Sequence, residues 1–215
     1  PQGVVYDKDE FDAAKADGKT DEQARSIAAI AGATVTLQRQ VDGEYVNVLS
    51  GDPGISPNIN PETTGSDGIY QWDVSEGNYR VVVTKDGYEQ VASHPVDIPP
   101  PVLDLHVALT KIDTTPPDTT IDSGPSGTIA GTQASFTFSG KPAGDTAKIQ
   151  CKIDSGAFAD CTSPKTFSAL ADGSHTVSFR AQDAAGNQDK SPASRTFTVD
   201  TTPPDTTIDS GPSGT

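Results

Sequence analysis

Residues 113–128 read DTTPPDTTIDSGPSGT, and the same sixteen residues return at 200–215. A match of that length is not chance, so the chain carries an internal repeat with a period of 200 − 113 = 87 residues. Pro116 and Pro117 remove two backbone donors and stiffen the chain toward polyproline geometry. DTTPPD therefore reads as a seam, TTID as a strand entering a sheet, and SGPSG as the turn leaving it. On this division 1–112 is one domain, 113–199 a second, and 200–215 a linker and first strand of a further repeat.

Composition narrows the fold class. The chain has 215 residues, only 33% of them hydrophobic, with Gly 20 and Pro 17 spread throughout. Such a chain suits short strands and many turns. The formal charge is −15, and both halves share it. Residues 1–112 carry 8 Lys/Arg against 18 Asp/Glu, and residues 113–215 carry 7 against 12. A uniformly acidic surface excludes nucleic acid and anionic membrane as expected partners and is compatible with divalent cations. No apolar run approaches the roughly 18 residues of a membrane span. The chain opens at Pro1 without a leading Met or a signal-peptide pattern, as expected of a mature form or a segment of a longer protein.

Strand patterns recur every ten residues or so in the second half: TTID, ASFTFSG, AKIQCKID, GAFADC, KTFSAL, SHTVSFRAQD and SRTFTVD. Strands at that spacing, with turn residues between, predict a two-sheet sandwich. Phe136 and Phe138 share a face. The alternation around Val177 and Phe179 reads as imperfect: the two share a face only if the strand bulges, and the pattern leaves this open. His175, in ALADGSH, takes the corner position where a sandwich commonly carries a Tyr bonded back to the backbone.

The first half also reads as β structure. QGVVYD is a first strand, and ATVTLQRQV and EYVNVL flank the turn Asp42–Gly43 as a hairpin. GIYQWDV places Tyr70, Trp72 and Val74 on one face, and GNYRVVV does the same for Tyr79, Val81 and Val83. VLDLHVALT alternates cleanly, with Leu103, Leu105, Val107 and Leu109 inward and Asp104 and His106 outward. Residues 8–31 predict a short helical insertion: one helix capped by Asp9 and ending at Gly18, then another over 21–30 with a Thr20–Gln23 capping box. SGDPGISPNINPETTGSDG predicts a long solvated loop.

Two family resemblances add to this. DTTPPDTTIDSGPSG, CKIDSGAFADCTSP, LADGSHTVSFRAQDAAGN and SPASRTFTVDTTPPDT closely resemble the Ig-like repeats of large bacterial surface proteins, over 113–215. That resemblance implies an extracellular β-sandwich in a tandem array, serving as stalk or adhesin. AGATVTL, TTGSDGIYQWDV, GNYRVVVTKDGYE and LDLHVAL resemble the transthyretin-like or carboxypeptidase-regulatory-like sandwich, a relative of collagen-adhesin B-type domains. The resemblance covers 32–39 and 63–109 and fails over the insertions at 8–31 and 45–60. The expected fold class is therefore all-β: two Ig-like and transthyretin-like β-sandwich domains in tandem, the first with a short helical insertion.

Candidate chemistry is sparse. An extracellular setting makes a disulfide between Cys151 and Cys161 the expected state, across a three-residue turn around Gly156. Two buried thiols or a metal pair are the alternatives, and two Cys without a His cluster make a poor zinc site. The Ig-like resemblance implies calcium at the seams, and Asp113, Asp118, Asp183, Asn187, Asp200 and Asp205 supply hard oxygen ligands there. The same residues can instead cap turns. Asp7, Asp9 and Asp12 lack the Gly and distal Glu of an EF-hand loop. The collagen-adhesin resemblance raises an isopeptide between Lys8 and Asp104, against ordinary surface charges. His94, His106 and His175 lie in no nucleophile or metal pattern, and Trp72 is in phase with the core. No enzyme is expected.

The expected function is a structural extracellular module of a bacterial surface protein, a stalk or adhesin array. The alternatives are a filament or pilus subunit joined by strand addition, and a carbohydrate- or protein-binding module using the 50–67 loop near Trp72. Expected partners are neighbouring domains or subunits of the same protein and a host or cell-surface glycan or protein, with no nucleic acid and no membrane insertion.

Overall fold

Strict alternation along GNYRVVVT buries Tyr79, Val81 and Val83 and turns Arg80 and Val82 away, so this strand can serve one core only. The computed structural model describes residues 1–207 and 209–211. By its internal contacts the chain divides into two units, Pro1–Ile112 and Asp113–Thr215. Both are β-sandwiches.

The first unit runs β1 (Gln2–Asp7), α1 (Lys8–Ala16), α2 (Asp21–Ile27), β2 (Thr34–Val41), β3 (Glu44–Asn47), β4 (Ile55–Ser56), β5 (Glu62–Thr63), β6 (Ile69–Gln71), β7 (Asp73–Val74), β8 (Gly77–Thr84), β9 (Val91–Ala92), β10 (Val96–Ile98) and β11 (Val107–Leu109). One sheet has the order β11-β1-β6, the other β10-β8-β2-β3 with β5 and β9 attached to β2 and β8. β1 pairs with β11 in parallel; its pairing with β6, and β2 with β8, are antiparallel. Asp42 and Gly43, with φ of 52° and 88°, make the tight turn between β2 and β3. The core between the sheets is filled by Trp72, Tyr70, Tyr79, Leu37, Leu105 and Leu109, with Val35, Val81 and Val83 beside them.

Several expectations for this unit need correction. Residues 102–106 form no strand, and Leu103 is 67% exposed. The His106 N–H bonds the Asp104 carbonyl, a local turn that breaks the alternation before β11 begins. The residue capping α1 is Asp7, not Asp9: Asp7 Oδ1 accepts the N–H groups of Asp9 and Glu10. The capping box of Thr20 and Gln23 forms at α2. That helix ends at Ile27 rather than residue 30, because Ala28 and Ile30 are drawn into the sandwich, where the Ile30 N–H bonds the Val5 carbonyl.

The 50–67 segment is largely exposed, as expected, but it is anchored rather than free. β4 pairs with β7 and β5 pairs with β2. Asn60, 8% exposed, holds the segment down: its Oδ1 accepts the Leu37 N–H at 2.8 Å, and its Nδ2 donates to the carbonyls of Leu37 and Val48 at 2.9 and 2.6 Å. A buried amide saturated by three backbone partners does the work of a missing stretch of ladder.

The second unit runs β12 (Asp118–Ser123), β13 (Thr128–Ile129), β14 (Ala134–Lys141), β15 (Lys148–Ile153), β16 (Ala159–Cys161), β17 (Lys165–Phe167), β18 (Gly173–Gln182) and β19 (Ala193–Val199). Its sheets have the orders β12-β14-β17 and β13-β19-β18-β15-β16. Four phenylalanines, Phe136, Phe138, Phe179 and Phe197, dominate the core, with the Phe138 and Phe179 rings stacked at 4.2 Å. Val177 and Phe179 are both fully buried without a bulge: β18 and β19 stay in continuous register from Gly173–Val199 to Phe179–Ala193. β13, which sequence patterns did not signal, pairs in parallel with β19.

The repeated stretch now has a structural account. β12 supplies Ile121 to the core and Thr119 to a buried polar node. Gly124 follows at φ 141°, and a Cβ there would lie 2.2 Å from Phe136 Cδ1. The SG step is therefore a packing requirement. At 200–207 and 209–211 the described residues form no strand, and the remainder of the first strand expected there, at Ile208, lies outside the described residues.

Candidate functional site

The seam residues of the second unit come together only in part. Carboxylate oxygens of Asp113, Asp145 and Asp183 lie within 4.8 Å of one another. Asp113 precedes Pro116–Pro117, Asp145 lies in the turn after β14, and Asp183 opens the DAAGN turn after β18. Asn187, at the end of that turn, donates its side-chain Nδ2 to Asp183 Oδ2 at 2.8 Å and to the Asp113 carbonyl at 2.9 Å. Asp183 Oδ1 also accepts the Asn187 backbone N–H at 2.7 Å.

Burial pushes the Asp183 carboxyl up. The Asn187 side chain and the backbone N–H groups of Asn187, Gly186 and Ala185 outweigh it, and the group ends below the usual carboxylate range. The arrangement thus keeps Asp183 charged and fixes the turn. It also gathers three carboxylates where like charges repel.

Sequence reasoning placed Asp113, Asp183 and Asn187 at this spot but missed Asp145, because nothing in KPAGDTAK distinguishes a converging carboxylate from a turn former. The other expected ligands are elsewhere. Asp118 caps its own strand by accepting the Thr119 N–H. Asp200 accepts the Thr202 N–H and Asp205 the Thr206 N–H, so each serves as a turn acceptor.

Cys151 and Cys161 are joined in a disulfide between β15 and β16, with Cα atoms 6.0 Å apart. They are diagonal rather than directly opposed, since Cys151 pairs with Ala159 and Ile149 with Cys161. The connection spans Asp154 to Phe158, longer than the three-residue turn expected around Gly156.

His175 holds the corner. Its Nε2 lies 2.9 Å from the Ala171 carbonyl and its Nδ1 2.8 Å from Asp154 Oδ2. The Ala171 carbonyl, then the Asp154 carboxylate, hold the imidazole above its usual pKa, and the His175 bond holds Asp154 below its own.

A second polar node, around Thr119, was not legible in the sequence. The Ala181 N–H donates to Thr119 Oγ1 at 2.7 Å, and Thr119 Oγ1 donates to buried Asp189 Oδ2 at 2.6 Å.

In the first unit the remaining candidates separate. Lys8 pairs with Asp12 one helical turn on, at 2.5 Å, and Asp104 lies outside any strand. The isopeptide pair is therefore not assembled. The buried acid is Asp7, 2% exposed, which binds Lys111 Nζ at 2.8 Å and accepts the Tyr88 hydroxyl at 2.9 Å. Burial pushes Asp7 up, but the bonds from Lys111, Glu10 N–H and Tyr88 bring it below its ordinary value, while Asp7 raises Lys111. Both partners stay charged, which is an ion pair and not a reactive amine beside a neutral acid. Asp7, Asp9 and Asp12 form a helix start rather than a cation loop. Trp72 is 1% exposed with its Nε1 donated to the Ile59 carbonyl at 2.8 Å, so it offers no platform to a ligand.

A model of the bacterial Ig-like domain family matches residues 107–201. The repeat that begins at Asp113 is thus similar to a bacterial Ig-like domain. No curated protein matches the chain. Among solved structures, the chain is similar to the fibronectin(III)-like modules of CbhA from Clostridium thermocellum, at 16% identity and TM-score 0.33, covering 79% of this chain and 78% of that one. It is similar to a tetra-tandem repeat in the extending region of a large adhesion protein, at 17% identity and TM-score 0.31, covering 94% of this chain and 50% of that one. A Ca2+-stabilized adhesin with which an Antarctic bacterium binds ice is similar at 18% identity and TM-score 0.28, covering 79% of this chain and 40% of that one. No helix among the described residues is long and apolar enough to cross a membrane.

Proposed function

We propose that this chain is a structural extracellular module of a bacterial surface protein, part of a stalk or adhesin array. The observation that carries the reading is the identical return of DTTPPDTTIDSGPSGT at 200–215, directly after a sandwich that a bacterial Ig-like family model matches over 107–201. The repeated residues serve packing: Gly124 clears the Phe136 ring, Ile121 fills the core and Thr119 closes a buried node. A stretch used that way is a repeat boundary, not a ligand motif. The first unit, transthyretin-like in its sequence patterns, belongs to the same non-catalytic role.

Antibody raised against the chain and applied to intact producing cells tests this. Surface labelling that is lost on mild protease treatment is the expected result. Labelling only after lysis would overturn the extracellular reading.

We also propose calcium as the cation of the Asp113, Asp145 and Asp183 group. What supports it is donor chemistry: three hard carboxylates from three chain segments within 4.8 Å. Bound there, the ion would neutralise their repulsion and tie the DAAGN turn to the first residue of the repeat.

A further inference from the structure

The helical insertion of the first unit does more than decorate the sandwich. α2 lies over β1 and leaves a cleft of about 410 Å³ between itself and β6, the edge strand of its sheet. Glu22, Arg25 and Ser26 line one wall; Asp67, Ile69 and His106 line the other. That size lies within the range of small-molecule sites.

The polar groups of this cleft are short of partners. Among the described residues Arg25 is half-buried yet has neither an ion pair nor a hydrogen bond, although Glu22 is one helical turn away. The Val4 N–H donates to His106 Nδ1 at 3.1 Å, so the neutral ring carries its proton on Nε2 and presents a donor. Burial, then the charge of Arg25, lowers the His106 pKa and keeps the ring in that form. Asp67 uses Oδ1 for the Ile69 N–H and retains Oδ2. Donors and acceptors therefore face each other, with the apolar flanks of Val4 and Ile69 between them.

We propose that this cleft binds one neutral glycosyl residue. One Arg against two carboxylates gives the walls a formal charge of −1 on a unit that is itself acidic, which opposes an anion. A cation would satisfy Glu22 and Asp67 but leave Arg25 and the His106 Nε2–H without an acceptor. A vicinal diol meets both walls, each hydroxyl accepting from Arg25 or His106 Nε2–H while donating to Glu22 or Asp67. The carbon face of the ring then rests on Ile69, which is 42% exposed. The inference adds a binding activity to the structural role and does not depend on it.

The test follows the N–H resonances of the 215-residue chain during titration with methyl α-glucopyranoside, methyl α-mannopyranoside and methyl β-galactopyranoside, each into the tens of millimolar. The expected result is shifts concentrated at Arg25, Ser26, Ile69 and His106 with at least one glycoside. Arg25→Ala should weaken that binding about tenfold, the loss of one charge-assisted hydrogen bond. Glu22→Gln, an exposed change that leaves the fold intact, should weaken it less. Asp97→Asn, in β10 of the opposite sheet, should leave it unchanged. Absence of shifts at these residues with all three glycosides, or undiminished shifts in Arg25→Ala, overturns the proposal. Tighter binding of glucuronate than of any neutral glycoside overturns it in favour of an anion site.

Discussion

His175 Nε2 lies 2.9 Å from the carbonyl of Ala171, four residues upstream, so an imidazole closes the corner ahead of β18. The ring is also tied to Asp154 beyond β15, and it couples this corner to pH. His175 has a raised folded pKa, so its contribution is complete below the ordinary His value and is lost as pH rises through the folded value. Asp154 has a depressed folded pKa, so its share is present above the ordinary Asp value and is lost as pH falls through the folded one. The melting temperature should therefore fall between about pH 6 and about pH 8 by an amount equivalent to roughly 1 kcal/mol or less, since Asp154 is largely solvated. His175→Tyr keeps a donor for the Ala171 carbonyl and does not titrate there. Its melting temperature, followed by circular dichroism, should not show that fall over the same interval.

Asp7 anchors the start of α1, the Tyr88 hydroxyl and Lys111 with one buried carboxylate. Asp7→Ala should destabilise the chain by roughly 2–4 kcal/mol, combining a lost cap with an abandoned ion pair. Lys111→Ala should cost less, about 1–2 kcal/mol, because the capping bonds survive. Urea unfolding of both variants checks the order. Equal losses would show that the cap contributes nothing.

Asn60→Ala should be among the most damaging changes in the 50–67 segment, at about 2–4 kcal/mol. It strips partners from the Leu37 N–H and from the carbonyls of Leu37 and Val48. Asn60→Asp preserves shape but has no donor for the two carbonyls, so it should not rescue. Hydrogen exchange of the Leu37 amide reports the loss directly.

If calcium occupies the Asp113, Asp145 and Asp183 group, millimolar Ca2+ should raise the melting temperature and EDTA should reverse the rise. Asp145→Asn should abolish the response. It should leave the calcium-free melting temperature unchanged or slightly higher, because it relieves repulsion among the three carboxylates. A calcium response that persists in Asp145→Asn, or no response in the unaltered chain, would remove the ion from this place.

Much of the fold was legible wherever a strand buries one face only. GNYRVVVT, ASFTFSG and SRTFTVD alternate with period two, and each became a strand close to its expected limits. The Thr20–Gln23 box was legible because capping is a local bargain between a side chain and nearby backbone. VLDLHVALT was misleading for the opposite reason. Its alternation is perfect, and Val102 and Leu105 both bond to Gln2 of β1, but a local turn at Asp104–His106 interrupts the ladder before β11 and leaves Leu103 outside.

Sequence alone determined the repeat and its period, the all-β class, the acidic surface, and most of the apolar residues that would face inward. These depend on composition, periodicity and identity between segments, all local properties of the chain. Only the tertiary structure decided that Asp145 would meet Asp113 and Asp183, that Asp7 would bind Tyr88 and Lys111, that Asn60 would pin the 50–67 segment, and that Arg25 and His106 would share a cleft. Those outcomes require residues tens of positions apart to converge, and pairing of distant strands sets that convergence; no short window of sequence encodes it.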